Sequence, residues 1–149
     1  NPGAPISYTV RFLKDNTIAK MGYTEDYQAE TCTSEGQVHR TVDFINDTGR
    51  TFKFAISYKN QLQGSGGSVT KSDLDNNPGL WVTSNVSGSI KTIQPPNGAY
   101  EITIWVQDED GADIYQYAIG NSTTSGNSCH RATTGLFGCC LKIEKVTCL

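Results

Sequence analysis

Residues 41–58, TVDFINDTGRTFKFAISY, constrain the fold more than any other part of the chain. Apolar and polar residues alternate there in two runs, so each run has one apolar face when it is extended. The apolar positions are Val42 and Phe44 in the first run and Phe52, Phe54, Ile56 and Tyr58 in the second. Turn-forming residues lie between the runs, including Gly49, which adopts positive φ at little steric cost. The stretch therefore predicts a β-hairpin that anchors a core.

The same alternation recurs along the chain. Residues 99–107 and 114–119 predict a second hairpin, and further strands are predicted at 8–13, 17–23 and 141–149. Polar residues predict loops at 24–37, 59–79 and 120–134, with one capped helical turn near Ser72. This pattern indicates one all-β domain over residues 1–149, an antiparallel β-sandwich of about seven to nine strands. A partly closed β-barrel is the alternative.

Charge and hydropathy exclude two classes of partner. The chain has 15 Asp and Glu against 12 Lys and Arg, and the cations are spread along it, which argues against nucleic acid. Its apolar runs are shorter than the roughly 18 residues of a membrane span, so no integral membrane segment is expected. The chain begins with Asn1 rather than Met, which is typical of a mature form after removal of a leader. A secreted, extracellular protein is predicted.

Five cysteines support that compartment. They lack the CxxC and Cys/His spacings of zinc sites, so disulfides in an oxidising compartment are the better interpretation. Neighbouring Cys139 and Cys140 are expected to pair elsewhere, because a ring closed between adjacent residues is strained. We expect a fold stapled by two bridges, one from Cys32 to the C-terminal region and one within residues 129–148. The cysteines are Cys32, Cys129, Cys139, Cys140 and Cys148.

Three Asn-x-Ser/Thr sequons lie in predicted turns or loops. Their asparagines, Asn46, Asn85 and Asn121, are therefore candidates for glycosylation.

Catalytic and metal-binding patterns are weak. Residues 73–77 and 108–113 are rich in oxygen ligands but lack the spacing of a calcium loop, so a helix cap and a hairpin tip are expected instead. His39 and His130, with a carboxylate such as Glu101, form the basis of an alternative prediction, a small secreted hydrolase or nuclease. Both histidines are nevertheless expected to be solvated surface residues. No catalytic residue, metal or cofactor is predicted, and the protein is not expected to be an enzyme.

Four aromatic residues are the candidates for a binding surface. Trp105 lies on the polar face of its strand, Trp81 follows a Gly-rich segment, and Tyr115 and Tyr117 share a face nearby. Exposed aromatic rings beside Asp, Asn and Gln are typical of sugar recognition, although burial between the sheets is the more common fate of a tryptophan in a sandwich.

We therefore predict a small, secreted, non-enzymatic binding protein that acts at a host or competitor cell surface, as an effector, toxin or defence-type protein. Its partner would be a cell-surface protein or glycan. A carbohydrate-binding, lectin-like module is the first alternative.

Overall fold

The computed structural model describes residues 6–14, 40–60, 67–85, 90–96, 98–121, 125–133 and 141–148. These residues form nine strands, one α-helix, α1 (Lys71–Asn76), and one 3₁₀ helix (Pro78–Leu80). The predicted strand at 17–23 and the predicted loop at 24–37 lie outside the described residues. The strands are β1 (Ile6–Lys14), β2 (Arg40–Asp47), β3 (Phe52–Asn60), β4 (Val82–Ser84), β5 (Ile90–Ile93), β6 (Ala99–Asp108), β7 (Asp113–Gly120), β8 (Gly126–Thr133) and β9 (Lys142–Val146).

The strands form two sheets. The first sheet has the order β5-β2-β1-β8-β9, and the second has the order β4-β3-β6-β7. The predicted mainly-β, sandwich-like fold is confirmed, and the pairings among the described strands do not close a barrel. The first sheet is mixed rather than antiparallel, because β1 runs parallel to both β2 and β8.

Aromatic side chains from both sheets form the centre of the core. The ring of Phe54 on β3 lies 5.0 Å from Phe12 on β1 and 4.7 Å from Phe44 on β2, measured between centroids. All three side chains are fully buried. Aliphatic residues surround them, namely Val10, Val42, Ile56, Ile102, Ile104, Val106, Ala132 and Ile143.

The hairpin predicted for residues 41–58 is wrong. Both runs are strands, β2 and β3, but β2 lies in the first sheet and β3 in the second. The apolar faces of Phe44 and Phe54 therefore meet across the core instead of lying side by side on one sheet. Alternation specifies which face of a strand is buried, but it does not specify whether the next strand pairs with it or packs over it.

The connection between the two sheets is stabilised by the side chain of Asn46, which is 1% exposed. Its Nδ2 donates to the carbonyls of Arg50, at 2.8 Å, and Ser84, at 3.1 Å. Its Oδ1 accepts from the backbone N–H of Thr48, at 3.1 Å, and from the Thr48 hydroxyl, at 2.6 Å. Gly49 supplies the positive φ, 76°, that the connection requires. The turn residues were identified correctly, but they turn the chain between sheets.

A second prediction also fails, because most of the predicted loop at 120–134 is a strand. β8 pairs with β1 over Gly126–Ala132 and lies inside the first sheet. The second predicted hairpin is confirmed by the antiparallel pairing of β6 and β7. The predicted helical turn is confirmed as α1.

One disulfide, between Cys129 and Cys148, is present among the described residues. It joins β8 to Cys148, two residues after the end of β9. The bridge packs with Leu13 and Val146 on the outer face of the first sheet. The bridge predicted within residues 129–148 is therefore confirmed. A fold stapled by several bridges overstates what is seen, and Cys32, Cys139 and Cys140 lie outside the described residues.

Replacing Asn46 with alanine is expected to lower the free energy of unfolding by about 2 kcal/mol, because it leaves buried backbone groups without partners. Urea denaturation would measure the change. Asn85→Ala is the matched control, since Asn85 is exposed and its loss should change the unfolding free energy by about 0.5 kcal/mol or less. Equal unfolding free energies for the two variants would contradict this role of Asn46.

The double variant Cys129→Ala/Cys148→Ala should lose about 3 kcal/mol of unfolding free energy, as expected for a loop closed over a sequence separation of 19 residues. The same denaturation experiment, made without reductant, measures it. A midpoint unchanged from the parent protein would show that this bridge does not stabilise the fold.

Candidate functional site

The outer face of the second sheet carries helix α1 between two tryptophans. The indole Nε1 of Trp81 donates to the Leu74 carbonyl at 2.8 Å, and the Lys71 ammonium lies 5.1 Å from the centroid of the Trp105 ring. Leu74 is 1% exposed, and the outward-facing Ala55 of β3 is fully buried because α1 packs on that strand. The two tryptophans therefore hold the helix on the sheet and keep half-exposed rings beside it.

A capping box fixes the start of α1. The Thr70 hydroxyl accepts from the backbone N–H of Asp73 at 3.1 Å, and the Asp73 carboxylate accepts from the backbone N–H of Thr70 at 2.8 Å. These hydrogen bonds with Thr70 lower the pKa of Asp73. The predicted capped turn is thus present, but its N-cap residue is Thr70 and only Asp73 of residues 73–77 takes part in the cap, which gives a six-residue helix a defined position.

Lys71 joins the helix to the second hairpin. Its ammonium binds the carboxylates of Asp75, on the next turn of α1, and Asp113, at the start of β7, the latter at 2.8 Å. Hydrogen bonds to Asp113 and then Asp75 raise the pKa of Lys71, and the bond from Lys71 lowers the pKa of Asp113. Both shifts favour the charged forms of Lys71 and Asp113.

A groove of about 620 Å³, here called the outer groove, lies beside α1. The helix and the segment after it contribute one wall, which combines apolar groups with one carboxylate. That wall is formed by Leu74, Asp75, Pro78 and Trp81. The sheet and the β6–β7 turn contribute the other side, which is polar. That side is formed by Lys53, Thr83, Gln107, Gly111 and Asp113.

The polar side of the outer groove is one cross-strand row. Lys53 on β3 is paired in register with Thr83 on β4 and with Gln107 on β6, and Gln107 is paired with Asp113 on β7. The Gln107 amide also donates to Asp113 Oδ1 at 2.9 Å. Four strands therefore present a hydroxyl, an ammonium, an amide and a carboxylate in one line across the sheet.

This arrangement suits recognition of a polar, ring-shaped ligand. A partly exposed indole offers an apolar surface for the face of a sugar ring, and the row offers donors and acceptors for its hydroxyls. The groove volume lies within the range of about 300–1,000 Å³ that is typical of small-ligand sites.

The four aromatic candidates do not form one site. Trp81 lines the outer groove, whereas Trp105 and Tyr115 border a neighbouring hollow of about 370 Å³ that shares Asp113 with it. The indole N–H of Trp105 donates to the Ser57 hydroxyl at 2.8 Å. Tyr117 lines neither cavity and packs edge-on against His130, at 4.7 Å between centroids.

The expectation of a solvated His130 is wrong, because its side chain is fully buried. The ring stacks on Phe12 and meets Tyr115 and Tyr117 edge-on. The Tyr115 hydroxyl lies 2.9 Å from Nδ1 and the Ser128 hydroxyl 2.8 Å from Nε2, so both ring nitrogens have partners.

Burial lowers the pKa of His130 to about 4, and the positive charge of Lys145 contributes to this shift. Burial also raises the pKa of Tyr115 to about 12. The imidazole is therefore neutral at pH 7, when one of the two hydroxyls donates to it and the other accepts from it. A buried, neutral and fully hydrogen-bonded histidine is suited to holding β7 against β8 rather than to proton transfer with a substrate.

The other predicted residues are dispersed. His39 lies outside the described residues, and the Glu101 carboxylate pairs with Lys59 at 3.0 Å. Among the sequons, Asn85 and Asn121 are exposed, whereas the Nδ2 of Asn46, the atom a glycan would modify, is committed to two carbonyls. The acidic tip at 108–113 is a hairpin turn in which Asp108 Oδ1 accepts from the N–H groups of Asp110 and Ala112.

Within the part of the chain that the structure describes, no group of three or more His, Cys, Asp or Glu side chains is arranged to hold a metal ion. No helix among these residues has the length and hydropathy of a membrane span.

The sequence pattern did not identify the polar residues of the outer groove as candidate site residues. Lys53, Thr83 and Gln107 are ordinary outward-facing positions of alternating strands, and no motif marks them. The available signal was their alternation with the buried Phe52, Phe54 and Val106, which assigns them to the outer face. Their common row depends on strand register, which the sequence pattern did not specify.

Comparisons of the chain with protein-family models, with curated proteins and with solved structures found no match.

The stability of the protein should fall as the pH is lowered from 6.5 toward 4, by up to about 3 kcal/mol from His130 alone. The folded-state pKa is depressed, so the unfolded chain binds the proton more readily in this window. Urea denaturation at pH 7, 5.5 and 4 would measure this loss. His130→Gln should remove most of that pH dependence. This variant still contains His39, so any pH dependence that comes from the other histidine is retained. A variant with the same pH dependence as the parent protein would contradict this role.

Proposed function

We propose that this protein is a secreted, non-enzymatic binding protein that recognises carbohydrate at a cell surface through the outer groove. The observation that supports it best is the juxtaposition of the half-exposed Trp81 ring with the row of Lys53, Gln107 and Asp113 in one groove. An effector, toxin or defence role remains the broader biological setting that we propose.

The outer groove is well suited to holding a ligand in one orientation. Trp81 is tied to α1 through its indole N–H, and α1 is tied to β7 through the Lys71–Asp113 ion pair. A ring and polar groups that are already held in place lose little conformational entropy when a ligand binds.

The secreted location is supported by the Cys129–Cys148 disulfide, because such bridges persist in oxidising compartments. The hydrolase alternative draws no support from His130, whose ring has no exposed surface. The proposed binding function is therefore argued from the outer groove and not from the histidines.

Trp81→Ala and Gln107→Ala are each expected to weaken binding of the preferred sugar by about tenfold or more, because they remove the stacking surface and a hydrogen-bonding amide. A glycan array would first identify the sugar, and isothermal titration calorimetry would give the dissociation constants. Gln107→Ala removes a hydrogen bond to Asp113 but leaves the direct contacts of α1, the Trp81–Leu74 hydrogen bond and the Lys71–Asp113 ion pair, in place, so it tests binding with less disturbance of the helix than Trp81→Ala.

Ile90→Ala is the matched control, since Ile90 is 59% exposed and lies on β5 in the other sheet. It should bind like the parent protein. An array without any sugar signal, or equal affinities for all three variants, would overturn the proposed function.

A further inference from the structure

We infer that the outer groove selects sugars that carry a carboxylate, the class that includes uronic and sialic acids, and that Lys53 binds that carboxylate. This inference rests on the proposed function and names the class of ligand for the same site.

The two ammonium groups near the outer groove differ in their partners. Lys71 is bound by Asp75 and Asp113, which leaves little of its charge for a ligand. Lys53 lines the groove, and its side chain has neither a hydrogen bond nor an ion pair within the described part of the chain. Lys53 is also held in the middle of the row, between β4 and β6, so its ammonium is the cation left available there.

The neighbours of Lys53 complete a site for an anion. Thr83 and Gln107 flank it in register. The Thr83 hydroxyl can donate to a carboxylate oxygen, and so can the second N–H of the Gln107 amide, whose other N–H is bound to Asp113. An ammonium assisted by neutral donors is a typical environment for a bound carboxylate, since charge-assisted hydrogen bonds are the stronger ones.

The opposite end of the row accepts hydrogen bonds. Asp113 and Asp75 border the groove there, and Lys71 offsets part of their negative charge, which reduces repulsion of an anionic ligand. Carboxylates accept from sugar hydroxyls. A sugar acid has a carboxylate at one end and hydroxyls at the other, with an apolar ring face between them that suits Trp81 and Pro78. A neutral sugar would offer the Lys53 ammonium hydroxyl oxygens but no opposite charge, which makes the weaker hydrogen bonds.

The test compares charged sugars with neutral counterparts by isothermal titration calorimetry. Sialyllactose is paired with lactose, and trigalacturonate with its methyl ester, so that the two arms distinguish a sialic acid from a uronic acid. At least one acid should bind about tenfold or more tightly than its neutral counterpart, and raising the salt concentration should weaken that preference.

Lys53→Met, which keeps the aliphatic stem, should remove the preference for the acid and leave the weaker binding of the neutral sugar. Lys91→Met is the matched control, because Lys91 is an exposed lysine on β5 in the other sheet, and it should retain the preference.

This inference would be overturned if the acid and neutral forms bind equally, or if the preference for the acid survives Lys53→Met. The proposed function would still stand in either case, provided that Trp81→Ala weakens binding. Absence of binding to all four sugars, together with an empty glycan array, would overturn both.

Discussion

The packing of Phe54 against Phe12 and Phe44 is the interaction on which the rest of the structure depends. These three buried rings come from three strands and both sheets, with centroid separations of 5.0 and 4.7 Å. Burying an aromatic side chain contributes about 1.5–3 kcal/mol through removal of apolar area from water. Because this contact fixes β3 over β1 and β2, it also determines which face of the second sheet points outward.

Strand β3 consequently serves both the core and the candidate site. Phe52, Phe54 and Ile56 face inward, while Lys53 lines the outer groove and Ala55 lies under α1. The small Ala55 side chain leaves room for the helix between Trp81 and Trp105. Since successive side chains of a strand point to opposite faces, a slip of one residue would exchange the two sets. The same aromatic packing that stabilises the core therefore holds Lys53 in its row.

Most strands could be predicted from the sequence because apolar and polar residues alternate along them, as in β3 and β6. Apart from the β6–β7 hairpin, the sequence did not predict how those strands are combined. Residues 41–58 have the composition of a hairpin, yet Asn46 binds the carbonyl of Ser84 on β4, a residue far along the chain, and this contact belongs to a connection between sheets. Likewise, β8 consists of polar and small residues, so periodicity gave no sign that it lies inside a sheet. Trp81 was identified from residue type, whereas Lys53 and Gln107 required knowledge of register.

The composition of β8 follows from what each of its faces contacts. Ser128 and His130 face the core, where their hydrogen bonds to each other and to Tyr115 satisfy polar groups that would otherwise destabilise it. Cys129 faces the other way and forms the disulfide that packs with Leu13 and Val146 on the outer face of the first sheet. A polar strand is thus stable in this position because a tyrosine from β7 and a cysteine after β9 supply its partners. The same Tyr115 hydrogen bond ties β7, which carries Asp113 of the outer groove, to the core. The buried histidine and the candidate binding site therefore depend on the same edge strand.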